Sequence, residues 1–182
     1  PEDKELDLHF FAGVVLSLFK QKIADYNLGK PFFCVEPGRY LVCDACILLT
    51  AVNTLKTTPF KKFVGVDAGF NTLIRPAMYG SYHHILVANK LDEAETETYD
   101  VVGPICESGD VLARDRQLPK IQEGDLLAVL NAGAYGFAMS SQYNARPRAA
   151  EVLVKSGRYA LIRKREALDD LLVGQRMAEW LQ

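Results

Sequence analysis

Three features of the sequence predict a mainly β chain headed by a single helix–strand unit. Apolar residues recur at three- and four-residue spacing over residues 5–24 and then give way to a continuous apolar run over residues 31–35. From about residue 46 onward, strand-like segments follow one another with no helical spacing between them. Turns rich in Gly, Pro, Asp and Asn separate those segments. Sequential short strands without intervening helices imply an antiparallel sandwich or barrel. A helix leading into a strand that is apolar on both faces is instead one unit of an α/β barrel or an open α/β sheet. The expected division is residues 1–42 for the helix–strand unit and residues 43–182 for a C-terminal antiparallel β-sandwich or barrel domain with a terminal helix.

The first helix is read from Leu6, Phe10, Val14 and Leu18 beside Phe11, Val15, Phe19 and Ile23. Asp3 and Glu5 suit the positive end of its dipole, and Lys20 and Lys22 fall in its last turns. Asn27 and Gly29 are stop signals. The strand Pro31-Phe32-Phe33-Cys34-Val35 ends in Glu36-Pro37-Gly38-Arg39, which places charge at its C-terminal end. One such unit cannot close a sheet, so the rest of that domain is expected upstream, outside this chain. Strands are expected over residues 46–56, 61–67, 82–90, 98–105, 125–132, 151–156 and 158–164. Lys155-Ser156-Gly157-Arg158 reads as a hairpin turn. Helical spacing returns over residues 166–182, through Leu168, Leu171, Leu172, Met177, Trp180 and Leu181.

Composition bounds the function. A chain of 182 residues with 49% hydrophobic and 24% charged residues is globular. A net charge of -2 with no basic block argues against a nucleic-acid partner. Runs such as Cys46-Ile47-Leu48-Leu49 are far too short for a membrane-spanning helix, and Pro1-Glu2-Asp3-Lys4 is not the start of a signal peptide. Cys34, Cys43, Cys46 and Cys106 form no disulfide framework, which fits a reducing cytoplasm. Cys43 and Cys46 have CxxC spacing, but no second pair completes a zinc site, so they read as packed thiols and no metal is expected.

Several short motifs carry chemistry. Cys106-Glu107 sets a possible proton donor beside a carboxylate, although a strand-end Cys is also a common small buried hydrophobe. Glu36 and Arg39 flank a Pro-Gly turn and either share a pocket or pair with each other. Arg75 and Tyr79 are four apart; if Arg75-Pro76 opens a helical turn they share a face and make a carboxylate clamp, the alternative being an Arg stacked on a nearby Tyr. His83 and His84 would point to opposite faces of a strand, so they read as structural. The small residues around Tyr135 would let the backbone approach a ligand, and the phenol could donate to a phosphate. The polar loop Ser140–Arg148 reads as solvated surface.

Taken in order, EPGR, VDAGFNTLIRPAMYGSYHHI, VVGPICESGD and NAGAYGFAMSSQYNARPR strongly resemble the diaminopimelate decarboxylase family, pyridoxal-phosphate enzymes of the alanine-racemase-like fold. The resemblance covers nearly the whole chain. Related ornithine and arginine decarboxylases share the Glu-Pro-Gly-Arg and the Cys, but differ around the Cys and after Asp67-Ala68-Gly69. It implies that residues 1–42 are the end of a TIM-type barrel that binds pyridoxal 5'-phosphate. It further implies that Glu36, Pro37, Gly38, Arg39 and Tyr135 contact the cofactor, with Glu36 at the pyridine nitrogen. Arg39, Arg75 and Tyr79 would hold the distal carboxylate of meso-diaminopimelate, Glu107 its distal ammonium, Tyr135 would contact the substrate as well as the cofactor, and Cys106 would protonate the carbon that loses carbon dioxide. In the family, this Cys and Glu come from the neighbouring subunit of a head-to-tail homodimer. No Lys here matches the context of the family's Schiff-base lysine, and no phosphate-binding Gly-rich loop is present. The expectation is therefore a C-terminal part of the enzyme, inactive alone. A related ornithine- or arginine-type decarboxylase, or a non-catalytic β-module for dimerisation, are the competing readings.

Overall fold

The computed structural model of the chain describes residues 4–181, so Asp3 and Gln182, both used in the sequence reading, lie outside the described residues. These residues fall into two compact units that divide between Pro37 and Gly38. The first contains helix α1, Leu8–Tyr26. Asp7 caps it by accepting from the Phe10 N–H at 3.0 Å. Its end is closed by Asn27, whose φ of 53° turns the chain left-handed while Asn27 N–H and Leu28 N–H reach back to Ala24 O and Ile23 O. No residue of α1 is buried.

Residues 31–35 form no strand, contrary to the expectation from their apolar run. A strand exists only by pairing, and that unit holds no second strand to supply the ladder; Phe32 is 94% exposed.

The second unit is the β domain. Helix α2, Gly38–Val42, comes first. A six-stranded sheet follows, made of β1 (Leu48–Thr57), β2 (Lys62–Val66), β3 (Ile85–Val87), β4 (Glu97–Val102), β5 (Val111–Leu118) and β6 (Leu126–Val129), with helix α3 (Arg75–Tyr79) between β2 and β3. Strands run in the order β3-β6-β1-β2-β4-β5, and edges β3 and β5 touch, so the sheet nearly closes into a barrel. Its ladders are antiparallel except β2–β4, which is parallel because α3 and β3 intervene between them. Val64, Val66, Val101, Leu127 and Val129 are fully buried in the interior.

Strand β5 was not expected from sequence. Arg114-Asp115-Arg116 interrupts its apolar alternation, and Asp115 takes a left-handed φ of 51° where the β4–β5 register slips. The slip is tied down from Asp100, which is buried: it accepts the Asp115 N–H at 2.8 Å and the Lys61 ammonium at 2.8 Å. The hairpin β7 (Glu151–Lys155) and β8 (Arg158–Arg163) turns through Ser156 and Gly157, both left-handed, as the turn reading expected. It forms a separate two-stranded sheet. The tail is not a continuous helix: it makes two short 3-10 turns, Leu168–Leu172 and Glu179–Leu181, separated by Gly174 at φ 88°.

Candidate active site

The segment that follows β4 is shaped by one carboxylate. Asp110 is buried and accepts from the Ile105 N–H at 2.7 Å and the Phe70 N–H at 2.6 Å. The Gly103 N–H donates to Asp110 O, and the Asp110 N–H to Glu107 O, both at 3.0 Å. A Cβ on Gly103 would collide with the Asp110 carboxylate, so only glycine fits there. The loop therefore buries Ile105 and lifts Cys106 and Glu107 together onto an exposed apex. The bland reading of Cys106 as a buried hydrophobe does not hold.

The loop Ser140–Arg148 is not merely solvated surface. The Ser141 N–H donates to Asn71 O at 2.8 Å, Arg146 Nη2 to Asp67 O at 3.0 Å, and the rings of Phe70 and Tyr143 lie 5.2 Å apart. Glu166 clamps its far end, accepting from Arg148 Nε at 2.7 Å, the Arg148 N–H at 2.8 Å and Gln142 Nε2 at 3.0 Å. Those bonds, with the Arg148 guanidinium first, hold the Glu166 carboxyl down at about 2. So fastened, the loop presents Tyr143 and Asn144 to the apex: Tyr143 Oη donates to Glu107 Oε2 at 2.8 Å, and Asn144 Nδ2 reaches Cys106 Sγ at 3.6 Å. The Glu107 carboxylate, by its hydrogen bond and then its charge, pushes the Tyr143 phenol up, so it stays protonated and donating. Sequence reasoning gave neither Tyr143 nor Asn144 a role. The usable signal was the Tyr-Asn-x-Arg-Pro wording of the loop, which loop polarity masked.

A second group forms around Tyr135. Arg75 opens α3 as expected, with Pro76 in its first turn and Gly80 closing it at φ 61°. Its guanidinium lies 5.8 Å from the ring centroid of Tyr135, while Tyr79 is exposed on the same helical turn. Tyr135 is 48% exposed. The glycine beside it serves the fold: a Cβ on Gly133 would collide with the Val42 carbonyl, because Gly133 N–H bonds Cys43 O at 2.9 Å and seats the end of α2 on this turn. The close approach at Gly133 is to α2. Arg39 rides exposed on α2. Glu36 and Pro37 are exposed in the first unit, so Glu-Pro-Gly-Arg straddles the boundary between the units. A half-exposed phenol beside a guanidinium is a donor set suited to a phosphate or carboxylate, the anionic part of pyridoxal phosphate included.

The remaining candidates are structural. Cys43 Sγ donates to Asn131 O at 3.4 Å and Cys46 Sγ to Ile47 O at 3.5 Å, so both thiols of the CxxC pair donate to backbone carbonyls. Burial, and then the charge of Glu151, raises the Cys46 thiol. His83 is fully buried with Nδ1 donating to Leu130 O at 2.9 Å; burial lowers its imidazole, the Leu130 bond opposes this, and Arg75 and Arg116 add to the lowering. His84 points outward to Tyr82. Among the described residues no cluster of metal-ligating side chains occurs, and no helix is long and apolar enough to cross a membrane. A cleft of about 360 Å³ between Ile47, Leu73, Phe137 and Ala150 is lined by Cys46 and Gly133 but by none of Cys106, Glu107, Tyr143, Arg75 and Tyr135.

Comparison with known proteins adds three findings. The family model for the C-terminal sheet domain of pyridoxal-dependent decarboxylases matches residues 17–133. The diaminopimelate decarboxylase of Methanothermobacter thermautotrophicus is 60% identical over 177 residues, 97% of this chain and 41% of the relative; that of Archaeoglobus fulgidus is 58% identical over 170 residues, 93% of this chain and 40% of the relative. A crystal structure of diaminopimelate decarboxylase from M. jannaschii in complex with L-lysine matches with a TM-score of 0.85 at 38% identity, over 100% of this chain and 41% of that one. The chain thus spans about two fifths of the length of the curated relatives it matches.

Proposed function

The chain belongs to the pyridoxal-dependent decarboxylases through their C-terminal sheet domain, and on that premise we propose that it is the C-terminal part of a diaminopimelate decarboxylase, which converts meso-2,6-diaminopimelate to L-lysine and carbon dioxide. The observation that carries this reading is the exposed apex of Cys106 and Glu107, held by Asp110 on one side and by Tyr143 and Asn144 on the other. A thiol and a carboxylate lifted side by side off their own core are placed to serve a site completed by another subunit. That supports the head-to-tail homodimer.

Pyridoxal phosphate, when bound, supplies the electron sink that lets carbon dioxide leave the α-carbon. Glu36 would hold its pyridine nitrogen; Pro37, Gly38, Arg39 and Tyr135 would contact it. Arg39, Arg75 and Tyr79 hold the substrate's distal carboxylate, and Glu107 holds the distal ammonium. Cys106 gives its Sγ proton to the carbon. Residues 1–42 are the end of the cofactor-binding barrel, and the lysine that anchors the cofactor lies outside the chain. Four free cysteines fit a cytoplasmic enzyme.

The test is turnover by the full-length protein. Supplied with pyridoxal phosphate, it is expected to release lysine from meso-diaminopimelate, with Cys106→Ala lowering kcat by at least about 100-fold, the usual scale for a lost proton donor. The isolated chain is expected to yield no lysine. Decarboxylation of ornithine or arginine with none of meso-diaminopimelate would overturn the reading.

A further inference from the structure

We propose that Tyr143 and Asn144 are positioning residues for the Cys106–Glu107 pair, one partner to each: the Tyr143 hydroxyl orients the Glu107 carboxylate, and the Asn144 amide holds the sulfur of Cys106 and stabilises the thiolate left when its proton departs. This rests on the reading of the apex as a proton donor and an ammonium acceptor.

The backbone of the loop argues for it first. Asn144 and Ala145 sit consecutively in the left-handed region, at φ 55° and 54°. Asn tolerates that conformation, but Ala does not readily, so the strain persists only because the surroundings impose it. Those surroundings are the Ser141, Arg146 and Glu166 bonds, which lie outside the apex. What the strained turn achieves is the aim of two side chains: neighbours in one loop meet neighbours in the other, 143 on 107 and 144 on 106.

The chemistry follows from the partners. When Cys106 acts, its S–H bond breaks, a C–H bond forms at the carbon, and the S–H electron pair stays on sulfur as a thiolate. An amide N–H donates more strongly to that anion than to the thiol, so Asn144 contributes most after proton transfer has begun. Tyr143 occupies Oε2 of Glu107 and leaves Oε1 to receive an ammonium, with the rotamer already fixed.

Alkylation by iodoacetamide in the full-length protein separates these roles, read by peptide mass spectrometry because Cys34, Cys43 and Cys46 are present as well. Asn144→Gly keeps the left-handed backbone and removes the amide. It is expected to slow alkylation of Cys106 at neutral pH by about two- to tenfold, the worth of one hydrogen bond, and to leave the limiting rate at high pH unchanged. Loosening of the loop alone would do the opposite, exposing the sulfur and raising the rate at every pH. A wild-type or faster rate overturns the role of Asn144. Tyr143→Phe is expected to raise KM for meso-diaminopimelate by about fivefold with kcat nearly unchanged; an unchanged KM overturns the role of Tyr143. Because alkylation requires no turnover, slowed alkylation in a protein that makes no lysine would sink the enzymatic reading and leave the contact between Asn144 and the sulfur standing.

Discussion

The six-stranded sheet and the β7–β8 hairpin are written in the same kind of sequence and stabilised by different forces. Both are alternating or apolar strands with well-formed ladders. In the sheet, Leu127 is 0% exposed; in the hairpin, Leu161 is 62% exposed, and Val154 and Tyr159 stand out still further. The near closure of the sheet gives each inner side chain a facing neighbour. The hairpin has ladder bonds but no opposing layer, and what fastens it is charge: Arg163 pairs with Glu151 across the strands, and Arg148 pairs with Glu166 beyond them. Strand pattern thus reports pairing, whereas burial depends on what lies across the face.

Truncating a leucine in each region is the strongest way to break this comparison. Leu127→Ala is expected to cost about 2 to 5 kcal/mol, because it leaves a cavity in a packed interior. Leu161→Ala is expected to stay within about 0.5 kcal/mol. Urea unfolding of the two variants decides. A Leu161→Ala cost equal to that of Leu127→Ala would mean that the hairpin face is covered in solution.

Next in size is Asp110, the buried carboxylate at the end of the sheet. Asp110→Ala strips the acceptor from the Phe70 and Ile105 N–H groups and is expected to cost about 2 to 4 kcal/mol, from one buried and one partly buried donor left unpaired. Asp110→Asn keeps one acceptor oxygen and is expected to cost less. Both should loosen the Cys106 apex, seen as faster hydrogen exchange over residues 103–110. Exchange there at the wild-type rate would show that the apex is shaped by something other than this carboxylate.

How much of this was legible in sequence differs by region. The barrel-like β domain was legible because most strands alternate cleanly and their turns carry Gly, Asn or Pro. Strand β5 was hidden by Arg114-Asp115-Arg116, charges at a bulge near the edge of the sheet, where Arg114 and Asp115 are exposed and only Arg116 is half-buried. Residues 31–35 look like a buried strand and are unpaired, since an apolar run specifies a wish for cover and not a partner. In the site, the family motifs pointed to Cys106, Glu107, Arg75 and Tyr135. Tyr143 and Asn144 stayed hidden because a polar loop looks the same whether it is free or tied. Bonds to residues distant in sequence, Asn71, Asp67 and Glu166, turn that loop into structure.

The smallest effect falls on that last tie. The Glu166 carboxyl is held down at about 2 by Arg148 first and Gln142 after it. A carboxyl whose value is lower folded than unfolded favours the folded arrangement most when ionised. Its contribution is therefore complete above the ordinary carboxylate range, near pH 4.5, and is lost as pH falls from there toward 2. Hydrogen exchange over residues 140–148 should accordingly quicken across that window by a few-fold, as befits a partly exposed ion pair, while the buried interior around Leu127 keeps its protection until global unfolding. Glu166→Gln should show the quickened loop already at neutral pH and no further step on acidification. If the loop in that variant still exchanges slowly at pH 7, then the ladder and the packing of Phe70 on Tyr143 suffice to hold it, and the division between a sheet kept by burial and a hairpin region kept by charge fails where it was drawn most finely.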